Sequence, residues 1–136
     1  MVTTERVYGY SEQPAGFKIF VDRLWPRGLT KKAAGWDEWM KEIAPSPELR
    51  RWFGHRPDRW EEFKKRYWLE LSFNQQETEK IINLEKEHGT VVLLYAAKDP
   101  DHNHAIVLKD YLLFYKEKNS HEEDRINRGT GPRSNG

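Results

Sequence analysis

TVVLLYAA, residues 90–97, is an unbroken apolar run rich in β-branched side chains. A membrane span needs about 20 such residues, so this run reads as a strand covered on both faces, the kind that sits at the centre of a parallel sheet. Its neighbours have helical character. A polar helix is predicted over 75–87, closed by Gly89. After the turn KDPDHN at 98–103, a helix is predicted over 103–118 with Ala105, Leu108, Leu112 and Tyr115 on its inward side.

Upstream, FKIFV at 17–21 alternates β-forming residues and reads as a second strand, and TTERV at 3–7 as a first, with the turn residues SEQPAG at 11–16 between them. Trp36, Trp39, Met40 and Ile43 recur at helical spacing, which predicts a short helix stopped by Pro45. Ser46 then fits a helix cap with Pro47 at the first helical position, and that helix breaks at Gly54. Pro57 opens a further helix in which Trp60, Phe63, Tyr67 and Leu71 form one stripe, with Glu61, Glu62, Lys64 and Lys65 turned to water. Strands separated by helices imply crossovers and parallel pairing. The expected class is therefore α/β: a small, mostly parallel sheet of about three strands flanked by four to five helices. Residues 1–118 make one domain, followed at 119–136 by a polar tail whose one aliphatic residue is Ile126 and which is expected to be mobile.

The 136 residues include six each of Trp, Tyr and Phe, too much buriable area for a disordered chain, and no Cys, which removes disulfides and thiolate zinc sites. MVTTERVYGY lacks the basic start and apolar stretch of a signal peptide, so a cytoplasmic protein that meets no membrane is expected. The net charge of +1 argues against a generally basic nucleic-acid binder, yet residues 50–66 carry seven Lys or Arg against three acids.

VDRLWPRG, W-D-E-W with KEIAPSPELR, HRPDRWEEF, and LLYAAKD with N-H-A follow one another from about residue 6 to residue 113. In that order they resemble the short, YeaO-like branch of the domain-of-unknown-function family 488. The resemblance implies no substrate. Longer relatives carry Cys-His-Arg near the position of Asn103-His104-Ala105, so a thiol mechanism is not implied for a chain without that Cys and Arg.

In open α/β sheets ligands gather beyond the carboxyl ends of the strands, and two loops here leave strands at that end. The first carries Asp22, Arg23, Trp25 and Arg27. Two guanidiniums can grip a phosphate or carboxylate, with the indole as a stacking wall; equally, Asp22 can pair with one arginine while Trp25 fills the core edge. The second carries Tyr95, Lys98, Asp99, Asn103 and His104, which offer a cation, a general base and polar ligands for an anion; equally, Asp99 is a plain cap and His104 a backbone partner. If the two strands are sheet neighbours, both loops line one cleft. Asp22 or Asp99 would then move a proton, while Arg23, Trp25, Arg27, Tyr95, Lys98, Asn103 and His104 would bind the substrate. Asp99, Asp101, His102 and His104 also suggest nitrogen and oxygen metal ligands, but the usual spacing is absent, so no metal is expected. Phosphate-loop and G-x-G-x-x-G patterns are absent, and no cofactor is expected.

The first expectation is a protein or enzyme for a small anionic ligand, phosphate- or nucleotide-like. The alternative is a nucleic-acid-binding module that uses Arg50, Arg51, Arg56, Arg59, Lys64 and Lys65. A third reading is a protein-interaction domain with an exposed tryptophan patch.

Overall fold

The apolar run forms β4 (Val91–Tyr95), and all five of its residues are buried. In the structure, a computed structural model that describes residues 1–8 and 15–130, β4 pairs on one side with β1 (Val2–Arg6) and on the other with β2 (Phe17–Phe20). Beyond β2 lies β3 (Glu38–Trp39), so the sheet order is β1-β4-β2-β3 and every pairing is parallel. Leu93 sits opposite Thr4 and Ile19. Short α1 (Lys31–Ala34) and α2 (Pro47–Phe53) precede the long helices α3 (Trp60–Ser72), α4 (Gln75–His88) and α5 (His104–Thr130).

Alternation along the strands divides the apolar side chains between two faces. Ile19, Val21, Val91, Leu93 and Tyr95 meet the inward stripes of the long helices, among them Phe63, Tyr67 and Leu71 of α3, Ile81 of α4 and Leu108 and Leu112 of α5. Phe20, Val92 and Leu94 point the other way, towards Val7, Trp36 and Trp39. Trp36 stacks on Phe20 with centroids 4.5 Å apart and planes 15° from parallel. A segment with little regular structure thus closes the second face.

The sheet has four strands where about three are expected, and the added one replaces a predicted helix. Trp36, Trp39, Met40 and Ile43 are spaced as one helical stripe, but they serve two faces. The tryptophans pack with Phe20, whereas Met40 and Ile43 join the helical layer. A two-residue strand and a 3₁₀ turn at Lys41–Ile43 achieve that split. The carboxyl-terminal helix also runs past residue 118 to Thr130. Residues 131–136 of the expected tail, and most of the turn at 11–16, lie outside the described residues.

Glu85 of α4 closes the sheet's outer edge. Its carboxylate accepts from the amino group of Met1 (2.7 Å) and from Lys116 of α5 (2.8 and 2.9 Å). Burial alone would raise this carboxyl's pKa, but the two cations hold it below the usual glutamate range.

Candidate functional site

Because β2 and β4 are parallel neighbours, the loops that follow them leave the same edge of the sheet, and they share a cavity of about 500 Å³. Asp22, Arg23, Trp25 and Arg27 line it from the first loop, and Asn103 and His104 from the second. Tyr95, Lys98 and Asp99 do not. Tyr95 is buried in the core, where desolvation raises its phenol pKa. Lys98 is exposed. Asp99 is spent on its own loop: Oδ1 accepts the amides of Asp101 (2.9 Å) and His102 (3.2 Å), and Oδ2 lies 2.9 Å from His102 Nδ1. Those hydrogen bonds, the one from Asp101 foremost, lower its pKa. Asp22 is thus the carboxylate that the cleft receives.

Asp22 does not pair with its neighbouring arginine. Its Oδ2 accepts the amide of Ala96 (3.3 Å), tying the two loops together, and its Oδ1 lies 3.1 Å from Nε2 of His104. The same Nε2 stands 3.0 Å from the Val21 carbonyl. Both neighbours are acceptors, so Nε2 carries the ring proton whatever the charge of the imidazole. One N–H points in one direction; directed at the carbonyl, it leaves the buried Oδ1 without a hydrogen-bond donor despite the short distance. His104 is the first residue of α5, and Asn103 caps that helix: its Oδ1 accepts the Ile106 amide (3.2 Å) and its Nδ2 donates to the Asp99 carbonyl (3.0 Å).

Arg23 reaches across to the segment before α2. Its Nε and Nη2 donate to the carbonyls of Pro45 (3.3 Å) and Ala44 (3.2 Å), and Nη1 lies 3.6 Å from Glu42. It contributes positive charge while its Nε and Nη2 are engaged with backbone. Arg27 is exposed; the hydroxyl of Tyr8 donates to its carbonyl (2.7 Å), so its backbone is fixed and its guanidinium extends to solvent. The Trp25 indole donates to the Leu29 carbonyl (2.6 Å) and meets Trp36 and Trp39 edge-on at 5.0 and 5.6 Å. Of the six tryptophans, Trp25 alone is exposed, so an extended tryptophan patch is absent from the described surface.

The far wall comes from α2, its flanking residues and α3, through Pro45, Arg50, Phe53, His55 and Phe63. Arg50, a candidate nucleic-acid contact in the sequence, borders this cleft. His55 has φ 58°, the one non-glycine in the left-handed region among the described residues, a conformation that raises energy and clusters at functional sites. Nothing local in the sequence marks Phe53, His55 or Phe63 as cleft residues, because their segment meets the strand exits only through tertiary packing. The sole cue is Gly54, which ends α2 and turns the chain.

Beneath this wall, Ser46 caps α2 by accepting the Leu49 amide (3.1 Å) and donates its hydroxyl to Glu70 (2.6 Å). Tyr67 donates to the Ile43 carbonyl (2.7 Å); desolvation, with Glu70 and Asp22 nearby, raises its pKa well above the usual tyrosine range.

Along residues 50–66 the cations are largely engaged. Arg56 forks onto Asp58, Arg66 pairs with Glu62 (3.0 Å) and Lys64 with Glu61 (3.1 Å). Trp52 lies between Arg59 and Arg66 at 5.1 and 4.2 Å from its ring, and Arg59 also donates to its carbonyl. Arg50, Arg51 and Lys65 remain exposed without an ion pair among the described residues. No group of metal-ligating side chains is found among the described residues, nor any helix long and apolar enough to cross a membrane.

The chain is similar to the uncharacterized protein YeaO of Escherichia coli strain K12, 42% identical over 111 residues that cover 82% of this chain and 96% of that one. It is also similar to the uncharacterized protein Rv3073c of Mycobacterium tuberculosis H37Rv and to Mb3100c of Mycobacterium bovis, each 35% identical over 113 residues, covering 82% of this chain and 92% of theirs. No solved structure matches. With residues 1–130 matched by its family model, the chain belongs to the DUF488-N3i family, described as the inactive DUF488-N3 subclade.

Proposed function

We propose that the chain binds a small anionic ligand in the cleft where the β2 and β4 exits meet α2. The observation that carries this reading is the charge of that cleft: Arg23, Arg27 and Arg50 face a single carboxylate, Asp22, around one cavity. Cations grouped in a concave site with low-dielectric walls focus a positive potential on whatever enters it. Arg27 and Arg50 are the exposed guanidiniums of the three, suited to gripping a phosphate or carboxylate.

Binding without transformation is the form of the proposal that fits the family's description as inactive. Asn103 lies near the position at which longer relatives carry a cysteine, and its amide is occupied in capping α5. Ala105, near the position of their arginine, is fully buried.

The test is calorimetric titration with a panel of inorganic phosphate, pyrophosphate, citrate and nucleoside monophosphates, comparing the natural chain with an Arg27→Ala, Arg50→Ala double variant. At least one anion should bind saturably, and the double variant should weaken it about tenfold or more, since charge-assisted contacts are the strong ones. Binding of none of them, or binding indifferent to the double substitution, would overturn the reading.

A further inference from the structure

Resting on that anion-binding reading, we infer that the ligand is a nucleoside monophosphate: a phosphate joined through a hydroxyl-bearing sugar to a flat ring. Three features of the cleft require more than a bare anion.

Size is the first. A cavity of about 500 Å³ lies in the range of organic-ligand pockets, whereas an inorganic phosphate displaces only a few waters of about 30 Å³ each.

The second is Trp25. An indole that is 38% exposed has given up much of the gain from burial, yet this one is held by its Nε1 hydrogen bond and by the edges of Trp36 and Trp39. That restraint fixes the ring before any ligand arrives, which reduces the ordering cost of stacking a planar group on it. Pro45, Phe53 and Phe63 provide apolar wall elsewhere around the same cavity, so a ligand with an aromatic body leaves less unfilled apolar surface than a compact ion does.

The third is Asp22. A carboxylate in a cationic cleft repels a phosphate that occupies the centre of the site, and the Ala96 amide, which donates to Oδ2, holds this one in place. A hydroxyl-bearing ligand converts that repulsion into a hydrogen bond, because a carboxylate only accepts. An anion that also donates therefore fits where an acceptor-only anion does not. Phosphate on Arg27 and Arg50, sugar hydroxyl on Asp22 and base on Trp25 together use the charged, acceptor and aromatic parts of the lining.

Calorimetry of the full chain with the 5′-monophosphates of adenosine, guanosine, cytidine and uridine, with inorganic phosphate and with the free nucleosides tests this. At least one nucleotide should bind about tenfold or more tighter than inorganic phosphate and than its own nucleoside. Trp25→Leu should weaken the nucleotide about tenfold and leave phosphate unchanged, since stacking is lost and the guanidiniums remain. Asp22→Asn should weaken the nucleotide and strengthen phosphate. Phosphate binding as tightly as every nucleotide overturns the inference and leaves the anion site standing. Binding by neither phosphate nor any nucleotide overturns the inference whatever the wider anion panel shows. The ranking in the natural chain decides the matter even if a variant fails to fold.

Discussion

Glu70 shows how one residue far from the strand exits can hold the site together. Its two carboxylate oxygens take the backbone amide of Ser46 at 2.8 Å and the Ser46 hydroxyl at 2.6 Å, and Ser46 in turn caps the helix that carries Arg50 and Phe53 to the cleft. Hydrogen bonds to a charged group are worth more than neutral ones, so Glu70→Ala should destabilise the fold by about 2 kcal/mol in urea denaturation. Ser46→Ala, which removes the cap, should cost about 1 kcal/mol, and the double variant less than the two combined because they share a bond. Strict additivity would show that the Ser46–Glu70 contact does not contribute. The cap was legible in the sequence as Ser46-Pro47; its partner Glu70 was not, because 24 residues separate them. The same limit applied to Asp22. Its position at a strand exit could be read, but its neighbour His104, 82 positions away, could not, and the adjacent Arg23 suggested a pair that the structure replaces with contacts to Ala44 and Pro45.

Strands and helices were legible where one face did one job. The run VVLLY is buried on both sides and became β4; Trp60, Phe63, Tyr67 and Leu71 share one stripe and became the inner face of α3. The segment 36–43 mimics a helical stripe although its apolar residues serve opposite faces of the sheet, which periodicity cannot separate. The start of β2 also depends on a contact that no local pattern shows. Gly16 has φ 125°, and a side chain there would bring its Cβ within 2.8 Å of the Thr90 carbonyl oxygen. That oxygen accepts the Phe17 amide (2.8 Å), the hydrogen bond that starts β2 against β4. Gly16→Ala should therefore destabilise the protein by about 1–3 kcal/mol, from backbone strain and the displaced strand start. Because β2 delivers Asp22 to the cleft, the variant should also weaken anion binding. A melting curve and anion affinity both unchanged would show that this close approach does not set the position of β2.

For the molecule as a whole, sheet order decides whether a site exists. If β1 or β3 lay between β2 and β4, Asp22 and His104 would stand on separate parts of the surface; direct β2–β4 pairing puts their loops in one cleft. Strand order was not legible, because the separation of the two strands in sequence says nothing about which other strand lies between them. The α2–α3 wall was equally hidden, so the sequence showed the two strand-exit loops but not the surface that encloses them. We propose that these three segments form one anion-binding cleft; backbone amide chemical shifts of isotope-labelled protein should be followed during titration with inorganic phosphate, pyrophosphate, citrate, the four nucleoside 5′-monophosphates and a short single-stranded oligonucleotide. With at least one of the small anions, saturable shifts should appear at 22–28, 50–55 and 96–104 together, along one binding curve. Salt-sensitive shifts along 56–66 with the oligonucleotide alone, or no shifts with any of these ligands, would show that the three segments do not form an anion site.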